Sequence, residues 1–206
     1  MYETKKNKNM EIRKINLGTH NSCTSYPVKG FWEKLIRWTA KCQGLSIQEQ
    51  YDLGARYFDI RIRPGKRGIT VWHGVVEFEV DLREIFEYLN TKGNCIVRLV
   101  LENRKWERGK KLETMIGWLE SVHKVLKRDY PMIEWYTVGS KNPWNLIYTN
   151  PNTEIVINHN YKMILGWSVL IPWPKFWAKW GKKKQNLPSE GSPFEYFVVD
   201  FIENVV

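Results

Sequence analysis

Ala55-Arg56-Tyr57-Phe58-Asp59-Ile60-Arg61-Ile62-Arg63-Pro64 reads as a β-strand that sets Tyr57, Asp59, Arg61 and Arg63 on one face. A face carrying an acid and several bases cannot be buried in apolar packing, so it meets water or lines a polar site. Upstream, Ser46-Ile47-Gln48-Glu49 is a capping box that opens a helix, and Gly54 stops it. Downstream, Gly65-Lys66-Arg67-Gly68 turns the chain into Ile69-Thr70-Val71-Trp72-His73-Gly74, a second strand with a polar end. Asp81 begins a helix that runs to about Leu89. Cys95-Ile96-Val97-Arg98-Leu99-Val100-Leu101-Glu102-Asn103 is a buried strand with a polar end. A long helix follows over 109–128, with Leu112, Ile116, Leu119, Val122 and Leu126 as its apolar stripe.

Nearer the N-terminus, the alternating Glu11-Ile12-Arg13-Lys14-Ile15-Asn16 leads into Leu17-Gly18-Thr19-His20-Asn21-Ser22, which presents His20 at a strand end. Phe31 to Trp38 has helical spacing, with Phe31, Leu35 and Trp38 on one face and Lys34, Arg37 and Lys41 elsewhere. Beyond Pro131 the periodicity weakens, and 154–159, 163–167 and 194–202 read as strands. Strand–helix alternation with polar strand ends predicts an α/β fold with a parallel sheet and its function at the carboxyl ends of the strands. No repeat or linker divides the chain, which is read as one domain over 11–206 behind a polar tail over 1–10.

Of 206 residues, 43% are hydrophobic and 26% charged, ordinary values for a globular chain. The net charge of +10 implies anionic partners, and 11 tryptophans favour a bilayer surface over nucleic acid. Cys23, Cys42 and Cys95 are widely spaced, which argues against a disulfide framework and a zinc site and predicts free thiols in a reducing compartment. The polar start lacks the apolar segment of a signal peptide, and no run reaches the ~18 apolar residues of a membrane span. The expected location is cytoplasmic with peripheral membrane association.

Strand ends at His20-Asn21, Asp59-Ile60-Arg61, His73-Gly74 and Glu102-Asn103 bring two imidazoles, a guanidinium and carboxylates to one rim. That set suits acid–base chemistry beside an anionic centre: one imidazole takes a proton, the other gives one, and the guanidinium holds phosphate oxygens. His123 sits in the long helix one position after Val122 and reads as structural, whereas His159 follows a strand and could face the rim; both stay outside the catalytic set.

Gly18-Thr19-His20-Asn21-Ser22, Gln48 through Arg61, and Trp72-His73-Gly74 resemble, in order and spacing, the X-domain of phosphatidylinositol-specific phospholipases C, the bacterial form above all. The resemblance spans about residues 11–105 and implies an irregular or abbreviated TIM-type (β/α) barrel. It is abbreviated because eight strand–helix units usually take ~250 residues. It implies His20 as the general base on the inositol 2-hydroxyl, His73 as the general acid on the diacylglycerol oxygen and Arg61 as the phosphate ligand. Asp59 is then the site carboxylate, and Asp200 the late-strand aspartate that orients the base. Asn21, Glu102 and Arg63 are expected to bind substrate. The bacterial pattern has aspartate where Asn21 stands, and Glu102-Asn103 looks like the eukaryotic strand end. Asn21, Asp59 and Glu102 could therefore supply calcium ligands. Arg61 would repel that cation, so metal-independent action with no cofactor is expected and Glu102 is expected to pair with Arg61.

The expected substrate is a phosphatidylinositol-type phospholipid. Another lipid phosphodiester (glycerophosphodiester or lyso-lipid) or a non-catalytic lipid-binding module are the alternatives. Membrane contact is expected from Trp32 and Trp38, and from Trp173, Trp177 and Trp180 interleaved with Lys175, Lys179 and Lys182 to Lys184.

Overall fold

Helix α2 (Ile47–Asp52) starts at a capping box: Ser46 Oγ accepts from the Glu49 N–H at 3.3 Å, and Glu49 Oε2 accepts from the Ser46 N–H at 2.7 Å. Asp81 caps α3 (Leu82–Lys92) in a simpler way, its carboxylate accepting from the Arg83 and Glu84 N–H groups. These belong to a computed structural model that describes residues 16–66, 68–102, 109–139, 146–148, 197–199 and 201–204. The remaining helices are α1 (Phe31–Ala40) and α4 (Lys110–Asp129). The strands are β1 (Leu17–Thr19), β2 (Ala55–Gly65), β3 (Gly68–His73), β4 (Val76–Phe78), β5 (Cys95–Leu101), β6 (Ile133–Gly139), β7 (Leu146–Tyr148) and β8 (Phe197–Val199).

The described strands form one mixed sheet. Parallel pairing joins β8 to β1, β1 to β2, β2 to β5 and β5 to β6, while β7 runs antiparallel to β6. The β3–β4 pair attaches to β2 in antiparallel fashion. The expected all-parallel sheet is thus corrected at β3, β4 and β7. The short Gly65–Gly68 turn permits only a hairpin, because a parallel return needs a crossover of a dozen or more residues.

Alternation along β2 and β5 sorts their side chains. Phe58, Ile60, Ile62, Val97, Leu99 and Leu101 join the main core, with Ile85, Phe86 and Leu89 of α3 and Met115, Leu119 and Leu126 of α4. Each such buried side chain is worth ~1.5–3 kcal/mol over its exposed state. The opposite, inner face has a small apolar cluster of Tyr57, Ile96, Tyr136 and Val198. One repeat closer to the carboxyl ends stand Asp59 and Arg98, then Arg61. The inner face is apolar at its base and charged toward the rim.

Two expectations shift. The first strand lies at Leu17–Thr19, with 11–15 outside the described residues. The last strand is Phe197–Val199, and Ile202 belongs instead to a 3-10 turn. The face of α1 that carries Phe31, Leu35 and Trp38 is exposed, and the helix buries only Ala40. The polar tail over 1–10 and the strands expected over 154–159 and 163–167 lie outside the described residues. Among the described residues no helix is long and apolar enough to cross a membrane.

Candidate active site

One edge of β2 is shared by two strands. β5 pairs along Tyr57–Ile62 on one side, so β1 (level with Ala55–Phe58) and β3 (level with Ile62–Gly65) occupy the other. β1 runs with β2 and β3 runs against it, so their carboxyl ends meet head to head at the level of Asp59–Arg61. His20 directly follows β1 and His73 ends β3, which brings their ring centroids to 6.4 Å at 79°. The strand read over Ala55–Pro64 is observed as Ala55–Gly65, so Asp59–Arg61 lie within it and not at its end, and that overshoot lets β3 return His73 to the rim.

The turn bearing His20 is anchored on every side. Gly18 lies so close to the inner cluster that a Cβ there would sit 2.9 Å from Tyr57 and 3.0 Å from Val198. Ser22 donates its N–H to the Asp59 carbonyl at 2.8 Å, and its Oγ accepts from the Asp59 N–H at 2.9 Å. Gln43 Nε2 donates to the His20 carbonyl at 3.0 Å, and Gln50 Nε2 donates to the Ser22 carbonyl at 2.8 Å. Thr24 Oγ1 accepts from the Cys42 and Gln43 N–H groups. Asn21 adopts φ 47°, a left-handed conformation that asparagine tolerates better than most residues. That turn points its amide between the imidazoles: Nδ2 lies 3.2 Å from His20 Nδ1, 3.3 Å from His73 Nε2 and 3.3 Å from Cys42 Sγ.

His73 Nδ1 lies 2.8 Å from the Ala40 carbonyl, and a carbonyl only accepts, so Nδ1 carries a proton and Nε2 faces the site. His20 presents Nε2 to Arg61 Nη2 at 3.2 Å and to Asp59 Oδ2 at 3.7 Å. Arg61 is braced from the other side by Glu102, Nη1 to Oε2 at 2.9 Å. The second Glu102 oxygen accepts from the Gly74 N–H at 3.0 Å, tying the end of β5 to the turn after His73. Gly74 makes that turn at φ 61°. Asp59 is 2% exposed. Burial opposes its charge, but Arg98, His20 and Arg61, with the Asn21 N–H, outweigh it and hold its carboxyl below the ordinary aspartate range.

His20, Asn21, Asp59, Arg61, His73 and Glu102 therefore converge as the sequence predicts, with the Glu102–Arg61 pair among them. Arg63 sits one repeat beyond Arg61, its guanidinium 5.5 Å from the Trp72 ring. Asp200, Trp173, Trp177, Trp180 and His159 lie outside the described residues. His123 stays remote from the set, its Nε2 3.3 Å from the Trp135 carbonyl. Cys23, Cys42 and Cys95 are buried and form no disulfide. Sequence reading missed Cys42, the two glutamine anchors and Arg98. Only Arg98 left a signal, as the lone cation inside an apolar strand.

No family model matches the chain, and no curated protein matches it by sequence. The fold does have solved counterparts. Phosphatidylinositol-specific phospholipase C from Listeria monocytogenes aligns at TM-score 0.59 and 17% identity, covering 93% of this chain and 92% of that one. A structure of the Staphylococcus aureus phosphatidylinositol-specific phospholipase C aligns at TM-score 0.58 and 14% identity, covering 91% and 86%. The fold is that of the bacterial phosphatidylinositol-specific phospholipases C, an irregular TIM-type barrel in a single domain.

Proposed function

We propose that the chain is a phosphodiesterase of the phosphatidylinositol-specific phospholipase C type. The observation that carries this reading is the head-to-head meeting of His20 and His73 beside the Arg61 guanidinium. His20 Nε2 takes the proton of the inositol 2-hydroxyl, and that oxygen forms a bond to phosphorus. The bond from phosphorus to the diacylglycerol oxygen breaks, and His73 Nε2–H protonates the departing oxygen. The products are diacylglycerol and a 1,2-cyclic inositol phosphodiester. Water can then open the ring with the roles reversed, His73 accepting and His20 donating. Arg61 neutralises the phosphate oxygens bidentately. In this protonation state both imidazoles direct N–H groups at Asn21, so in this reading the amide is turned to put Oδ1 where the structure has Nδ2.

The donor set does not fit a calcium site. The Asn21 amide is taken up by the imidazoles, both Glu102 oxygens accept from protein donors, and Arg61 stands between Glu102 and His20. No step is assigned to a metal. If Asp200 contributes, it does so as the orienting aspartate of His20. Asn21, Glu102 and Arg63 complete the substrate-binding rim in this reading.

A lipid substrate requires an interface, and α1 offers one. Phe31, Trp32, Leu35 and Trp38 are 71%, 74%, 56% and 50% exposed. The carbonyl of Ala40, the last residue of α1, receives the His73 Nδ1 proton, so this apolar helix borders the mouth. Lys34 and Arg37 add charge complementary to anionic lipid. Diacylglycerol release from phosphatidylinositol vesicles in the presence of chelator tests the reading. His20→Ala and His73→Ala are each expected to lower it ~10²–10⁴-fold. No release by the unaltered chain, with or without calcium, would contradict it.

A further inference from the structure

Arg98 stands on the inner face of β5, with Ile96 below it and Val100 above, in an otherwise apolar strand. A guanidinium in such a place is costly unless it is paired. The β2–β5 register sets it beside Asp59, with Nη1 3.9 Å from Asp59 Oδ1, and Nη1 also donates to Tyr57 Oη at 3.4 Å. Asp59 has few hydrogen bonds to support its charge. Oδ1 accepts none among the described residues, and Oδ2 receives a long one, 3.4 Å, from the Asn21 N–H. Surrounding cations must do that work instead. Arg61 is already engaged by Glu102, and on the reading above it meets the phosphate anion as well. Arg98 is the cation left to Asp59. The enclosed carboxylate in turn lies 3.7 Å from the nitrogen of His20 that takes the proton.

We propose that Arg98 is a positioning residue for the base: it keeps the Asp59 carboxylate charged beneath His20, so that the imidazolium formed by proton abstraction meets an anion. The proposal rests on His20 acting as that base. It adds to the site a residue that reaches the chemistry only through Asp59. The groups facing Asp59 are His20 and the Asn21 N–H after β1, Tyr57 and Arg61 on its own strand, Arg98 on β5 and the buried Cys23 thiol. Of these, Arg98 opposes the desolvation of the carboxylate most strongly.

The test uses the full chain with Arg98→Met, Arg98→Lys and Asp59→Asn, each checked for folding by thermal unfolding. Carbon-detected NMR follows the Asp59 carboxyl through a pH titration, with Asp59→Asn giving the assignment. Turnover of phosphatidylinositol vesicles is followed over the same pH range. In Arg98→Met the carboxyl is expected to titrate at least about one pH unit higher, and the acidic limb of kcat to move up with it, about a tenfold loss within that interval at unchanged KM. Arg98→Lys keeps the charge and is expected to restore both. Adding Arg98→Met to Asp59→Asn is expected to cost no more than about twofold beyond Asp59→Asn alone.

An unmoved carboxyl in folded Arg98→Met, a moved carboxyl with an unmoved limb, or losses that multiply would each overturn the proposal. If Arg98→Met does not fold, Arg98→Lys decides, since a carboxyl that titrates higher there contradicts a purely electrostatic role. A wild-type chain that does not turn over the lipid would instead sink the phospholipase reading, and the carboxyl titration would still decide whether Arg98 sets the charge on Asp59.

Discussion

His20 and His73 are distinguished by which ring nitrogen each commits to the protein. His73 Nδ1 is committed to the Ala40 carbonyl, which leaves Nε2 for the substrate, and His20 turns Nε2 toward Arg61 and Asp59. The meeting of the two imidazoles was legible in the sequence because both follow strands, and Glu102 was legible as the partner of Arg61. The placement of Asn21 between the rings was not, since it depends on a left-handed backbone that no periodicity encodes. Asp59 makes a stability prediction. Its native carboxyl titrates below the ordinary aspartate range, so on acidification the unfolded chain binds its proton first. The contribution is fully present above about pH 4 and is lost as pH falls through the lower native value. Urea midpoints measured against pH are expected to fall less steeply in acid for Asp59→Asn than for the unaltered chain. Equal slopes would show that the carboxylate is not stabilised by folding.

Strands β2 and β3 show how an element can be identified correctly and its role still be missed. The alternation of Tyr57, Asp59, Arg61 and Arg63 gave the polar face, and the glycine pair at Gly65 and Gly68 gave the turn. That β3 would take over the edge left free where β1 ends is a matter of register between distant segments, which one sequence does not display. The same register requires glycine at position 18, beside Tyr57 and Val198. Gly18→Ala is expected to lower the unfolding free energy by about 1–3 kcal/mol through overpacking, read from denaturant midpoints. On α1, sequence spacing found an apolar stripe, and the structure leaves it exposed. Because Trp32 and Trp38 are largely exposed, replacing both with alanine is expected to leave thermal unfolding within a degree or two of wild type. Binding to phosphatidylinositol vesicles should weaken severalfold. A large loss of stability with unchanged binding would assign α1 to the core instead.

Across the whole molecule, a net charge of +10 and an apolar, cation-bearing helix beside the mouth suit, on the proposed reading, an anionic surface. Vesicle binding is expected to weaken as salt rises, because exposed charges are screened over ~8 Å at physiological ionic strength. Binding that is indifferent to salt would place the affinity in apolar contact alone. The α/β class was legible from strand–helix alternation in the first half, where α3 and α4 pack in one core with β2 and β5, while the barrel was legible only through the family resemblance. Its hairpin edge and short later strands carry too little periodicity to be read without pairing partners. On the proposed reading, what unites these scales is a phosphodiester held by Arg61 between an opposed base and acid. The most direct test is ³¹P NMR of phosphatidylinositol vesicles incubated with the full chain and chelator. The expected result is a cyclic inositol phosphodiester resonance growing at the expense of the lipid, absent with His20→Ala or His73→Ala. A lipid resonance unchanged by the unaltered chain, or a product that persists at full rate in both histidine variants, would contradict it.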